Sequence, residues 1–365
     1  MKLEKPRLKK IISVLLIGTL PLLFSGCGYP ELYERVLIHG IGVDWTGREY
    51  QVTVRSSVSA EDKGEELFTC RGSTVLEALS SLSLETGREP FYSHNYLVVF
   101  GMDCARRGLD DCLDFFVRYY NTRPAVKMFL AAGTAEEVLS VQQEGKLLRM
   151  SEIEALGSGG QYNGMTVDVE ILDFVNGVKG QGMSPVLPVL EATDSGARVA
   201  GTAYFEGYKI KGLLTPEQTR GFLAATGRLD KGELALEGPA RATLSLRSVK
   251  SETKETAAHP PAFSITIEAD ADVSAAVEAQ GSEGEFYANL EKEAAQKLEG
   301  EIRGALDQAL LRDGCDIFGL GRQMYREQPE QWRNIRQWPD PELACEVRVV
   351  FKVRRMEQEN LNGVA

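Results

Sequence analysis

The reactive side chain that its neighbours single out most clearly is the thiol of Cys27. Phe24-Ser25-Gly26-Cys27 has the form of a bacterial lipobox, an apolar residue and two small ones before a cysteine. Small residues admit a signal peptidase to the scissile bond, and the thiol is the one group there that accepts a diacylglyceryl thioether. Leucine is the commoner residue at the Phe24 position. Upstream stand Lys2, Lys5, Arg7, Lys9 and Lys10, then a run of 14 residues, Ile11 to Phe24, broken only by Ser13, Gly18, Thr19 and Pro21. A helix needs about 20 apolar residues to cross a bilayer, so the run reads as the core of a secretory signal. Residues 1–26 are expected to be a signal peptide and Cys27 the lipidation site. Acyl chains there would contribute about 0.8 kcal/mol for each buried methylene.

No other arrangement of reactive residues reaches a catalytic pattern. His39, His94 and His259 are the three histidines, and they form neither HExxH nor HxH, so zinc chemistry has no signature. No GxSxG or GxxxxGK[ST] occurs. Gly40-Ile-Gly42 lacks the third glycine and the following helix of a dinucleotide site and reads as a strand that another backbone approaches closely. Glu152 and Glu154 could be imagined as acid and base, but among 53 acidic residues such a pair reads as solvated surface. Trp332 and Trp338 flank Arg333 and Arg336, which admits a sugar platform, but packing of the long helix is the favoured role. Cys70, Cys104, Cys112, Cys315 and Cys345 show no CxxC or Cys/His spacing. Five is odd, so a complete set of internal disulfides is excluded. Cys104 and Cys112, eight residues apart on one helix, would be about 12 Å from each other, beyond disulfide reach; a Cys315–Cys345 pair stays open. No catalytic, metal or cofactor site is expected.

The chain has 365 residues, with 41 basic and 53 acidic ones and a formal charge of −12. Removing residues 1–26, with five basic residues and one acidic, takes this to −16 over the remaining 339. So acidic a body is unsuited to nucleic acid, and anionic headgroups would repel it as a whole. The length suggests two or three domains.

The elements follow from periodicity and turn chemistry. Val36 to Asp44 and Tyr50 to Val58 read as a hairpin about Thr46-Gly47. A helix opens at Gly72-Ser-Thr with Val75, Leu79 and Leu82 apolar and Thr74/Glu77 as a capping box. Asn95 to Phe100 is a strand, Leu109 to Tyr120 a helix, Ala125 to Ala132 a strand, and Thr134 to Val141 a helix with Thr134/Glu137 as its box. Residues 142–185, rich in glycine and with a short helix at Val167 to Phe174, read as a connecting region outside the core. A second hairpin, Ala197 to Phe205 and Tyr208 to Leu213, turns at Gly207. Thr215-Pro216-Glu217-Gln218 starts a helix that ends near Gly227. Strands follow at Ala242–Val249 and Phe263–Val273, then one helix from about Phe286 to Leu311 with an apolar stripe every four residues. Ala344 to Val353 is the closing strand. The class is α+β (mixed α/β): a mixed sheet-helix N-terminal domain over 27–185, with the connecting region from about 142, and a C-terminal domain over 195–356 whose sheet is packed by one long helix.

Five blocks in this order resemble the Ger(x)C lipoprotein family, the C subunits of spore germinant receptors. They are Gly26-Cys27 with Glu31-Leu32 and Ile38-His-Gly-Ile-Gly-Val-Asp44; Gly72-Ser-Thr, Glu77-Ala-Leu79, Leu82-Ser83, Thr86-Gly-Arg88 and Ser93-His94; Leu113-Asp-Phe-Phe-Val-Arg118; Gly201-Thr-Ala203, Gly212-Leu-Leu214 and Glu217-Gln-Thr-Arg-Gly221; and Asp316-Ile-Phe-Gly-Leu-Gly321 with Tyr325 and Trp332. Gly28-Tyr29 stands where the family usually has Trp-Asp. The resemblance implies a mixed α/β fold, no enzymatic activity, a lipid anchor on Cys27 at the outward side of the spore inner membrane, and work beside integral membrane A and B subunits in nutrient-triggered spore germination. The candidate contact surfaces are the long-helix domain and the glycine-rich segment. The alternative is a solute-binding lipoprotein presenting a ligand to a transporter. That needs two similar lobes with parallel crossovers, which hairpins and one long helix do not resemble. A wall hydrolase would need a carboxylate pair or metal site.

Overall fold

The computed structural model describes residues 35–57, 65–118, 125–238, 241–276 and 282–354. The chain divides into two units at Arg35/Val36, and all described residues but Arg35 belong to the second. The signal peptide and Cys27 lie outside the described residues.

Among the described residues fifteen strands form around turns of simple chemistry. β1 (Arg35–Trp45) and β2 (Tyr50–Ser57) make the expected hairpin: the Thr46 amide and hydroxyl both donate to Glu49 O, and Gly47 adopts φ 88. β3 (Glu66–Gly72) pairs with β2, and β4 (Glu89–Phe91) adds beside β1. β5 (Leu97–Phe100) and β6 (Lys127–Ala131) run parallel to β1 and are almost wholly buried, as apolar runs in parallel sheets are. β7 (Gln142–Gln143) and β8 (Lys146–Leu147) form a small ribbon. β9 (Val186–Thr193) joins β6 in parallel. β10 (Gly196–Glu206) and β11 (Lys209–Leu214) turn at Gly207, with φ 59, and extend the same sheet. The order is β11-β10-β9-β6-β5-β1-β2-β3. A second sheet, β12-β13-β14-β15, holds Gly232–Leu236, the long hairpin Ala242–Ala258 and Pro261–Ala276, and Ala344–Arg354. The closing strand is parallel to β14.

The helices are α1 (Val75–Thr86), α2 (Met102–Arg107), α3 (Asp110–Arg118), α4 (Ala135–Leu139), α5 (Met150–Ser158), α6 (Gly160–Asn163), α7 (Ile171–Lys179), α8 (Pro216–Ala225), α9 (Glu283–Ala305), α10 (Leu320–Glu327) and α11 (Pro329–Trp332). The boxes at Thr134/Glu137 and Thr215/Gln218 form as expected. At Thr74 only half does: the hydroxyl accepts from the Glu77 amide, while the Glu77 carboxylate takes the amide and hydroxyl of Ser73. α9 continues into a π-helical turn, Leu306–Arg312, and buries the stripe Leu290, Ala294, Leu298 and Ile302. It lies antiparallel along β15. Arg303 Nη2 donates to Val347 O at 3.1 Å, and the Val353 amide donates to Glu291 at 3.1 Å. These bonds cap a sheet edge that would otherwise invite another strand.

Residues 142–185, expected outside the core, are built into it. Met150 and Ile153 pack with Leu97, Phe129 and Leu139. Val167, Ile171 and Phe174 belong to the main core, with Phe174 edge-on to Phe205. The helix expected at 167–174 begins at Ile171, because Val169 and Ile171 first bond the edge of β6 at Met128 and Val126. The glycines mark close approach: a Cβ on Gly157 would lie 2.8 Å from the Phe129 ring, and one on Gly160 2.1 Å from Thr166 O.

Candidate functional site

Four buried polar knots stand out, and three of them are centred on motif residues, Asp44, Arg220 and Asp316. The first is Asp44, at the end of β1. Its Oδ1 accepts from the Ala135 amide at 2.7 Å and its Oδ2 from Glu136 at 3.0 Å, so it caps α4. Burial raises its pKa, opposed by those two bonds. Upstream on β1, Gly40 lies against the Met150 thioether and Gly42 against Ala135, the close approach expected of Gly40-Ile-Gly42.

The second knot is Arg55, wholly buried on β2. It donates to Leu139 O, to Leu148 O at 2.9 Å and to Glu65 at 2.7 Å, and Glu65 also meets His39 Nδ1 at 3.0 Å. Burial lowers the arginine pKa, with Glu65 opposing. The third knot joins α8 to α9 through Arg220 and Glu301, and Arg220 Nη1 donates to Glu233 O at 2.9 Å. The fourth is Asp316, which accepts amides from Gly319 (2.8 Å), Leu320 (3.2 Å) and Gly321 (2.7 Å) and the Trp338 indole (2.9 Å). Its own carbonyl takes the Ser184 amide at 2.7 Å, and Gly182 O takes the Arg322 amide at 2.9 Å. The glycine-rich 177–182 segment is thus stapled to the last motif.

These groups are occupied in holding the chain together. The three histidines stay apart: His39 with Glu65 and edge-on to Tyr96, His94 beside Phe91, His259 in the β13–β14 turn. Glu152 binds the amide and guanidinium of Arg149 and is not paired with Glu154; those bonds lower its pKa. Trp332 and Trp338 do pack, but Trp338 rests on Phe263, Gly321 and Asp316 rather than on the long helix. Cys104 and Cys112 do not share a helix. The chain breaks at Gly108, with φ 129, and the two buried thiols come within hydrogen-bonding reach, which with burial raises the Cys104 pKa. The five described cysteines are free. Among the described residues no group of three His, Cys, Asp or Glu could hold a metal ion.

A cleft of about 670 Å³ lies between the β1–β2 turn, the start of α1 and α2–α3. Arg107 stacks over Trp45 at 4.1 Å and reaches Asp111 at 3.4 Å, and Arg118 holds Asp114. Burial raises the pKa of Tyr50 in its wall. Its described lining carries no histidine or thiol. Sequence reasoning missed Arg55, Glu65 and Glu301. Each is one charged residue among many, and its only local signal is a charge beside an apolar face.

Two family models match the chain in succession: the spore germination protein N-terminal domain over residues 28–192, and the spore germination B3/GerAC-like C-terminal domain over 200–357. The chain is similar to spore germination protein KC of Bacillus subtilis (strain 168), at 23% identity over 397 aligned positions, covering 96% of this chain and 97% of that protein. In fold it is similar to the crystal structure of the GerBC protein, with a TM-score of 0.57 and 17% identity over 87% of this chain and 97% of that one. Matched in order through both halves, the chain belongs to the Ger(x)C family of spore germination proteins, whose members are non-catalytic.

Proposed function

We propose that the chain is the lipid-anchored C subunit of a nutrient germinant receptor, held by acylated Cys27 on the outer side of the spore inner membrane beside integral membrane A and B subunits. The observation that carries this reading is one of position. The first family match begins at residue 28, directly behind the lipobox cysteine, and the second runs to 357. Downstream of Cys27, all but residues 193–199 and 358–365 fall within this family's two modules. No described helix is long and apolar enough to cross a membrane, and the net charge opposes adsorption of the body as a whole; a covalent anchor supplies the attachment. The modules are a signal peptide over 1–26, an N-terminal module over 27–185 and a C-terminal one over 195–356. The two family matches part between 192 and 200, which supports that division.

The intact mass of the chain purified from spore membranes tests the anchor. The expected species lacks residues 1–26 and carries acyl chains on Cys27, and Cys27→Ala retains its signal peptide. An unmodified Cys27 in the wild-type chain would refute the anchor.

A further inference from the structure

On the reading of Cys27 as the anchor, nine residue steps separate the lipid from Val36, the first residue of the folded unit. An extended chain covers at most about 3.6 Å per residue, so the tether reaches about 32 Å or less. A body held that close must turn one face to the headgroups, and its net charge makes most faces unsuitable.

The sheet says which end is near. β1, β5, β6 and β9 are mutually parallel, so the start of β1 and the start of β9 lie at the same end. Gly182–Ser184 leads into β9 there and is bonded to Arg322 and Asp316, which fixes the first turn of α10 at that end. Trp45 closes β1 at the opposite end, about 30 Å away along the strand.

What α10 and α11 present is unusual for an acidic chain. Arg322, Tyr325 and Arg326 are exposed at i, i+3 and i+4, one face of the helix. Tyr325 meets Trp332 at 6.2 Å and Trp332 meets Trp338 at 5.6 Å. Arg333 and Arg336 are exposed beside them. Arg326, Arg333 and Arg336 have no ion-pair partner among the described residues, and Arg322 Nη1 donates to the Met183 thioether at 3.4 Å. The segment also carries Glu327 and Glu330. Glu327 binds Gln323, which reaches Thr253 O on the β13 flank, while Glu330 is exposed. At the same end, Asp168 and Glu170 are held by Lys127. Unpaired arginines among tyrosine and tryptophan rings suit the level of lipid headgroups, where amphipathic rings and cations both find partners.

We infer that the outer face of α10 and α11, continued to Trp338, rests on anionic phospholipid headgroups and sets the orientation of the anchored body. The chain's three tryptophans allow a direct test. The full chain, carrying its anchor, is reconstituted into phosphatidylethanolamine vesicles containing either phosphatidylglycerol or phosphatidylcholine brominated near the headgroup. One variant keeps Trp332 alone (Trp45→Phe, Trp338→Phe) and another keeps Trp45 alone (Trp332→Phe, Trp338→Phe). Brominated phosphatidylglycerol should quench Trp332 and leave Trp45 bright, and brominated phosphatidylcholine should quench Trp332 less. Arg326→Glu with Arg333→Glu and Arg336→Glu should restore the Trp332 emission while the protein still floats with the vesicles. Floating protein with unquenched Trp332, as when this face meets a protein partner, overturns the inference and leaves the anchor standing. Quenching of Trp45 to the same degree, or quenching indifferent to headgroup charge, overturns it too. A mature mass without acyl chains overturns the anchor and the inference together.

Discussion

Arg220 and Glu301 form a two-point ion pair between α8 and α9, with Nε to Oε2 at 2.8 Å, Nη2 to Oε1 alongside, and side chains 2% and 8% exposed. Neither charge sees water, so each depends on the other. Arg220→Ala is expected to cost about 3–5 kcal/mol, because it leaves Glu301 buried and unpaired. Replacing both, as Arg220→Met with Glu301→Leu, should recover most of that loss. Urea denaturation of the two variants and the wild type measures this, and equal losses in both variants would refute the pairing argument.

The neighbouring residue sets how closely these helices approach. A Cβ on Gly221 would lie 2.4 Å from the Glu301 carbonyl carbon and 2.5 Å from its oxygen. Gly221→Ala must push backbone against backbone and should destabilise by about 1–3 kcal/mol. Gly300, one residue before Glu301, is exposed and has open space about its Cα. Gly300→Ala should stabilise by about 0.5–1 kcal/mol through helix propensity. Opposite signs of the change in Tm for the two alanines are the expected result.

Asp316 gathers three stretches of chain that lie far apart in sequence. An asparagine there keeps the shape but turns an amide group toward amide and indole donors. Asp316→Asn is expected to cost about 1–3 kcal/mol for the donors left unpaired. Hydrogen exchange should locate the damage: amides of Ser184, Gly319, Leu320 and Gly321 lose protection before those of β5 and β6. Uniform loss across the sheet would mean that Asp316 is not a local staple.

The buried thiols make the alkaline limb of stability predictable. Burial pushes Cys315 up to about 11 and Cys345 up to about 12, from 9.0. Burial also pushes Tyr204, which donates to Asp313, from 10.0 up to about 12. From pH 9 upward the unfolded chain releases these protons while the native chain keeps them. The unfolded state then binds fewer protons, so stability falls as pH rises from about 9 to 12. Cys315→Ala with Cys345→Ala should flatten that slope whatever it does to stability at pH 7. At pH 8 both native thiols should resist alkylation and react once the chain is unfolded.

Local chemistry was legible in the sequence and long-range chemistry was not. The Thr134 and Thr215 caps and the turns at Thr46-Gly47 and Gly207 need only residues three or four apart, and they stand where expected. β3, β9 and β12 were not expected. Glu65-Glu66 opens the first, Pro188 sits inside the second, and Gly-Glu-Leu-Ala-Leu has the composition of a helix. Arg220 and Glu301 lie 81 residues apart, and no spacing rule pairs them. The glycine-rich composition of 142–185 predicts a connecting region outside the core, whereas several of its glycines mark close contacts visible only once the elements are assembled. Three of the motif blocks contain the knots at Asp44, Arg220 and Asp316.

On the proposed reading this body works as an anchored subunit among membrane proteins. A crosslinking pull-down of the chain from spore inner membranes, with Cys27→Ala as control, tests it most directly. Recovery of two multi-spanning membrane proteins, weakened in Cys27→Ala, is the expected result. Recovery of the anchored chain alone under efficient crosslinking would contradict it.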